Sequence, residues 1–227
     1  MRILTLDIGN TTVDACVFDG RDFYRIGRFP HQDVHLLKGN YDAVLVSSVK
    51  PSVNHLVLEL FPEAFLIEPK HVPIKTEDIQ KEKVGVDRLL NIYGFIQFHS
   101  TDGLVISCGT AFVLDLVKDS VFVGGFIAAG AKLRLEALLS KAELIPKFQL
   151  QLVDVPVGKD TQTAVLGAIR REMVCFVRCL QRQFMDSYGK EAFTVITGGD
   201  AWMLEGTGVE DPYLLHRAMW KLFTEMS

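Results

Sequence analysis

The sequence predicts an α/β fold performed twice, with a mixed sheet in each half, and three observations carry that prediction. Leu4-Thr5-Leu6-Asp7-Ile8-Gly9-Asn10-Thr11-Thr12-Val13 returns one hundred residues later as Leu104-Val105-Ile106-Ser107-Cys108-Gly109-Thr110-Ala111-Phe112-Val113. Each copy breaks an apolar strand at glycine and resumes in a second apolar run, Val13 to Phe18 and Phe112 to Val117, as two strands joined by a tight turn do. After each opening, helical and extended patterns alternate, which is the signature of α/β architecture. The boundary falls near Ser100–Asp102, giving an N-terminal domain over 1–101 and a C-terminal domain over 102–227.

In the first half, strands are expected at 2–7, 12–18 and 23–28, followed by a short helix or loop over 31–39. A strand at 43–47 leads to a helix from Pro51 to Leu60, where proline at a helix start sacrifices no hydrogen bond. A strand at 64–68 gives way to Pro69–Lys83, a polar stretch of poor periodicity that reads as a loop of functional length. A helix from Asp87 to about His99 closes the half.

The second half repeats the opening with strands at 103–107, 112–117 and 121–127. A helix from about Lys132 to Leu144 carries Leu133, Leu135, Leu138, Leu139 and Leu144 as its apolar face. A loop through Pro146, Pro156 and Gly158 precedes a long helix, Thr161 to Met185. The strand Ala192–Ile196 and a helix from Tyr213 to Met226 complete the chain.

Composition narrows the function classes. An apolar share of 48% over 227 residues supports real cores. A net charge of −4 with no basic run argues against partners bound through nucleic-acid phosphates or a membrane surface. The N-terminus enters a strand at Ile3 without a signal-peptide pattern, and no apolar run reaches transmembrane length, so a cytoplasmic location is expected. The four cysteines read as buried reduced thiols, because Cys175 and Cys179 lack further ligands at zinc-site spacing. His31 and His35 read as surface residues in a polar segment.

Five constellations can carry chemistry. Asp7-Ile8-Gly9-Asn10-Thr11-Thr12 places a carboxylate beside a turn whose amides and hydroxyls can hold phosphate oxygens, with Mg²⁺ on the carboxylate. An ordinary Asp-Gly turn is the plainer alternative. Gly85-Val86-Asp87-Arg88 opens a helix, where Asp87 is either an N-cap or a base for an alcohol proton, and Arg88 offers a fork for an anion. Gly124-Gly125-Phe126-Ile127-Ala128-Ala129-Gly130 permits close backbone approach to a ligand or to another strand. Thr197-Gly198-Gly199-Asp200 follows a strand as nucleotide-binding turns do, yet no dinucleotide fingerprint or P-loop is present. Gly158-Lys159-Asp160-Thr161 precedes the long helix, with Thr161 either its N-cap or a substrate contact.

Taken in order, Asp-x-Gly-Asn-Thr, Ser47-Ser48-Val49, Gly-x-Asp-Arg, x-x-Gly-Thr-Ala, Gly-Gly-x-Ile, Gly-Lys-Asp-Thr and Thr-Gly-Gly-Asp resemble the type III pantothenate kinases of the actin/hexokinase/Hsp70-like ATPase superfamily. The resemblance runs from Asp7 to Asp200. It implies two RNase H-like domains with an active-site cleft between them, a homodimer, and ATP-dependent phosphorylation of pantothenate, the first step toward coenzyme A. The alternatives are a non-catalytic transcriptional accessory factor on the same fold, or a kinase for another small alcohol. Carried over by position, Asp7, Ile8, Gly9, Asn10, Thr11, Thr12, Val13 and Asp14 would bind ATP and Mg²⁺, with Thr110, Gly198 and Gly199 as further nucleotide contacts. Asp87 would be the general base, while Gly85, Val86, Arg88 and Thr161 would meet pantothenate.

Three positions depart from the family pattern. Ser107 stands where the family usually has an aspartate linked to a monovalent cation, so weak or absent activation by K⁺ or NH₄⁺ is expected. Ala129 replaces a proline in the glycine-rich segment, and Asp78 stands where a tyrosine often lies in the substrate loop.

Overall fold

The computed structural model describes residues 1–226. The chain falls into two compact units, 1–99 with 213–226, and 100–212. The C-terminal helix therefore belongs with the first unit, and the expected second domain over 102–227 loses its last element to it. The physical reason lies in two contacts. His216 on that helix meets Thr5 of the first strand at 2.9 Å. Gly94 lies where any larger side chain would strike Leu214 and Ala218.

The first unit contains β1 (Ile3–Ile8), β2 (Thr12–Phe18), β3 (Phe23–Pro30), β4 (Ala43–Ser48), helix α1 (Asn54–Leu60), β5 (Phe65–Leu66), a two-residue β6 (Lys75–Thr76) and α2 (Val86–Phe98). Its sheet runs β3-β2-β1-β4-β5, antiparallel from β3 to β1 and parallel from β1 to β5. The second unit contains β7 (Gly103–Cys108), β8 (Ala111–Lys118), β9 (Val121–Ala129), α3 (Ala131–Lys141), α4 (Thr161–Tyr188), β10 (Phe193–Thr197) and β11 (Val209–Glu210). The C-terminal helix α5 (Leu214–Met226) returns to the first unit.

Within the second unit the strands run β9-β8-β7-β10-β11, with the same pattern of antiparallel and parallel pairs. The duplication read from two turn sequences thus extends to whole-sheet topology. Both outer hairpins carry a bulge, at Ala15/Cys16 and at Leu116/Val117. Register separates the copies by one residue. Ile8 pairs with Val13 in the first hairpin, whereas Cys108 pairs with Phe112 in the second, so the second turn is shorter.

The period of two along each strand sorts the side chains between faces. In the first unit, Leu4, Leu6, Ile8, Val13, Ala15 and Val17 enter one core with Val34, Leu37 and Val57. Their neighbours Thr5, Asp7, Asp14 and Cys16 take the opposite face, where α5 packs. The second core gathers Leu104, Ile106, Phe112 and Leu114 against Leu166, Met173 and Val177 of α4.

Candidate active site

Asp7 sits on a polar rung that crosses four strands. Arg28 pairs with Asp14, Asp14 with Asp7, and Asp7 with Ser47, so the side chains share one face of the sheet. The Ser47 hydroxyl donates to Asp7 Oδ1 at 3.2 Å. Burial raises the Asp7 carboxyl from its ordinary 3.8 to about 7, the charges of Asp87 and Asp14 push the same way, and Ser47 and Arg28 oppose them. Asp7 consequently changes charge near neutrality, unlike an exposed aspartate.

Asp14 has a different setting. Arg25 approaches its carboxylate at 3.1 Å and Arg28 at 3.0 Å, and only 8% of the residue is exposed. Its Oδ1 is buried without a hydrogen-bond partner. Asp14 therefore balances two guanidiniums beside Asp7 and lies one rung back from the turn itself. The arginines become visible as partners only through the β2–β3 register.

The turn between β1 and β2 is closed by the Gly9 amide donating to the Thr12 carbonyl at 3.0 Å. Asn10 and Thr11 are exposed, whereas the Ile8 and Val13 side chains point into the core and leave only their backbone to a ligand. Two side chains pin the turn from outside. Lys50 Nζ donates to the Asn10 carbonyl at 2.8 Å, and His31 Nε2 lies 2.9 Å from the Gly9 carbonyl. The surface reading of His31 is thereby corrected, since its ring is half-buried against the turn. Lys50 carried no signal of its own; its place one residue beyond Ser47-Ser48-Val49 was the available clue.

Asp87 occupies the first turn of α2, but the N-cap is Gly85. The Asp87 carboxylate accepts the Arg88 backbone N–H at 2.8 Å. That N–H also donates to the Gly85 carbonyl at 3.1 Å, so Asp87 adds a second acceptor at the helix start without being the N-cap. Burial raises the Asp87 carboxyl, while hydrogen bonds from the Arg88 and Asp87 amides and the Arg88 charge restrain it. Gly85 lies against this carboxylate so closely that a Cβ would meet Asp87 Oδ1. Val86 is buried, so its side chain serves the core.

In the second unit the Gly109 amide closes the short turn onto the Ala111 carbonyl at 3.0 Å, with Thr110 exposed at its tip. Gly198 adopts φ of 97°, and a side chain there would run into the Cys108 backbone. The Asp200 amide donates to the Cys108 carbonyl at 3.0 Å, and the Gly130 amide to that of Thr110 at 2.9 Å. The turns holding Thr110 and Gly198-Gly199 therefore meet at the end of β7, where half-buried Ser107 also lies.

Thr161 is the first helical residue of α4, and Asp160 is the N-cap. Asp160 accepts the Thr163 amide at 2.8 Å, and the Thr163 hydroxyl lies 3.2 Å from the Asp160 amide, completing a capping box. The capping reading of Thr161 is thus corrected, and its side chain is exposed. The reading of four buried thiols also changes: Cys16 and Cys108 are buried, but Cys175 and Cys179 are exposed on α4.

The comparisons with known proteins bear on this geometry. The type III pantothenate kinase from Aquifex aeolicus is 33% identical over 221 residues, covering 96% of each chain. The enzyme of the same name from Thermosipho melanesiensis is 26% identical over 219 residues, covering 88% of each. Among solved structures, a Campylobacter jejuni protein described as a conserved putative Baf family transcriptional activator superposes with a TM-score of 0.69 at 19% identity, covering 98% of each chain, which speaks to the fold alone. A Bacteroides thetaiotaomicron protein with an actin-like ATPase fold gives a TM-score of 0.50 at 8% identity, over 97% of this chain and 95% of that one. The family profile of type III pantothenate kinase matches residues 3–183. With two like-ordered mixed sheets and an acidic turn at the end of β1, the chain belongs to the type III pantothenate kinase family.

Proposed function

We propose that this protein transfers the γ-phosphoryl group of ATP to the primary hydroxyl of pantothenate, giving 4'-phosphopantothenate at the head of coenzyme A biosynthesis. Family membership supports the reaction. The observation that carries the residue assignment is the place of Asp7 near the end of β1, on a polar rung with Asp14 and Ser47, where the charge of Asp87 at the start of α2 is among the influences that raise its carboxyl. Phosphoryl transfer needs such groups near each other, one for the metal–phosphate side and one for the acceptor proton.

In this reading Asp87 takes the proton of the pantothenate hydroxyl as that oxygen attacks phosphorus. Its upward-shifted carboxyl is a stronger base than an exposed aspartate. The Arg88 amide fixes its direction, and the Arg88 guanidinium, with Gly85 and Thr161, meets the rest of pantothenate. Asn10, Thr11 and Thr12 hold phosphate oxygens, and Thr110, Gly198 and Gly199 are further nucleotide contacts. The donors at Asp7 and Ser47 are hard oxygens, the chemistry Mg²⁺ prefers, so Asp7 is assigned to hold it. When bound, Mg²⁺ supplies charge neutralisation on the phosphates.

The reading extends to a homodimer, a cytoplasmic location and no K⁺ or NH₄⁺ requirement. Exposed Phe126, Ile127, Leu133 and Leu138 on β9 and α3 support self-association. No helix among the described residues is long and apolar enough to cross a membrane. Neutral Ser107 supports independence from a monovalent cation. The test is ATP turnover over a panel of small alcohols that includes pantothenate. Turnover with pantothenate alone is expected; turnover with another alcohol but not pantothenate would reassign the acceptor, and ATP binding with no turnover would remove the catalytic reading.

A further inference from the structure

A cavity of about 300 Å³ lies in the second unit, along the face of α4 that carries Gly167, Arg171 and Arg178. The segment around Asp154 and Val155 closes its other side. Gly167 lies beside this segment, where a Cβ would make ordinary van der Waals contact with Val155 at 3.4 Å. The Arg171 guanidinium donates to the Val155 carbonyl at 2.9 Å, tying the segment down without neutralising the charge.

The charges around this space are unbalanced. Arg170, Arg171 and Arg178 line it, and the only carboxylate lining it is Asp154. Asp154 pairs with Arg170 at 3.4 Å and is itself largely exposed, so water weakens that pair. Arg170 Nε is buried with no hydrogen-bond partner, and among the described residues Arg178 has neither an ion pair nor a hydrogen bond. Three guanidiniums against one carboxylate leave two positive charges and several unused N–H donors around a preformed space. Guanidinium forks match tetrahedral oxyanions, and a dianion matches the charge excess.

We propose that this cavity binds a phosphate dianion, either inorganic phosphate or the phosphate of a small monoester, at a site separate from the residues assigned to catalysis. The site needs nothing from the kinase reading, since every group in it belongs to α4 or the segment beside it.

Isothermal titration of the full-length protein with inorganic phosphate, and separately with glycerol phosphate, at constant ionic strength tests the proposal. Affinity for at least one should fall tenfold or more in R171Q/R178Q. Inorganic phosphate alone showing the loss would identify the free ion as ligand; glycerol phosphate showing it more strongly would identify a monoester. Both substituted residues are exposed, and the double variant loses like-charge repulsion along with the Arg171–Val155 hydrogen bond, so its thermal melting in chloride is compared with the parent's. Arg178→Lys, which keeps the charge but loses the fork, should weaken binding by a smaller factor and stands in if the double variant does not fold. Binding at the assigned catalytic turn would survive these changes, so equal phosphate affinity in parent and variants would overturn the proposal whether or not the protein is a kinase. Equal binding of a dicarboxylate such as succinate would overturn its phosphate chemistry.

Discussion

Replacing Asp7 with Asn should stabilise the folded protein strongly at pH 8 and much less at pH 5. The folded carboxyl titrates near 7, against an ordinary 3.8. Between these values the native state holds a proton that the unfolded chain has released, so this group's contribution to stability falls as pH rises from about 4 to 7. Above that window the folded protein carries a buried charge facing Asp87 and Asp14. At about 1.4 kcal/mol per pH unit the penalty approaches roughly 4 kcal/mol, and solvent reaching this half-buried group brings the expected gain to ~1–4 kcal/mol. Asparagine keeps the Oδ1 acceptor for the Ser47 hydroxyl, so the substitution removes charge with little change of shape. His216 works in the opposite direction. Burial lowers its ring to about 4, so its contribution is lost as pH falls from 6.5 toward 4, and the parent's own pH profile blends the two. The informative quantity is the difference between variant and parent in urea denaturation, without Mg²⁺, at pH 5 and at pH 8. A difference that is the same at both pH values, or a variant less stable at pH 8, would refute the reasoning.

Three further outcomes are expected. Asp87→Asn should lower turnover by about 10²–10⁴-fold while ATP still binds, measured by steady-state kinetics beside nucleotide titration, and a loss below tenfold would remove the base role. The parent should show the same rate in Na⁺ and K⁺ at constant ionic strength, whereas Ser107→Asp should acquire K⁺ dependence; strong K⁺ activation of the parent would contradict the charge argument. Lys50→Met should raise KM for ATP several-fold with a smaller effect on kcat, because it frees the Asn10 carbonyl and withdraws a cation from the phosphate turn. An unchanged KM would make Lys50 irrelevant to the nucleotide.

The strand pattern was legible because period-two alternation and the repeated glycine turn are local properties of the chain. The strands from β1 to β4 and from β7 to β10 lie close to where alternation puts them. The two-residue strands β6 and β11 were not legible, since so short a segment has no periodicity to read. The return of α5 to the first unit was also hidden: its amphipathic pattern shows that it packs, but only Gly94 and Thr5 show against what. At the candidate site the motif residues stood out, whereas their partners did not. Arg25 and Arg28 meet Asp14 through register across a bulged hairpin, and His31 reaches Gly9 from the segment after β3. Of the two readings of Thr161, the N-cap falls one residue earlier, where Asp160 and Thr163 satisfy the helix start between them.

The most direct measurement is transfer of label from [γ-³²P]ATP to pantothenate by the purified protein, run beside Asp87→Asn. The account predicts labelled phosphopantothenate in equal amount to the ADP formed, and loss of nearly all label transfer in the variant with nucleotide binding retained. ADP formation with label released only as inorganic phosphate, or full transfer by the variant, would contradict it.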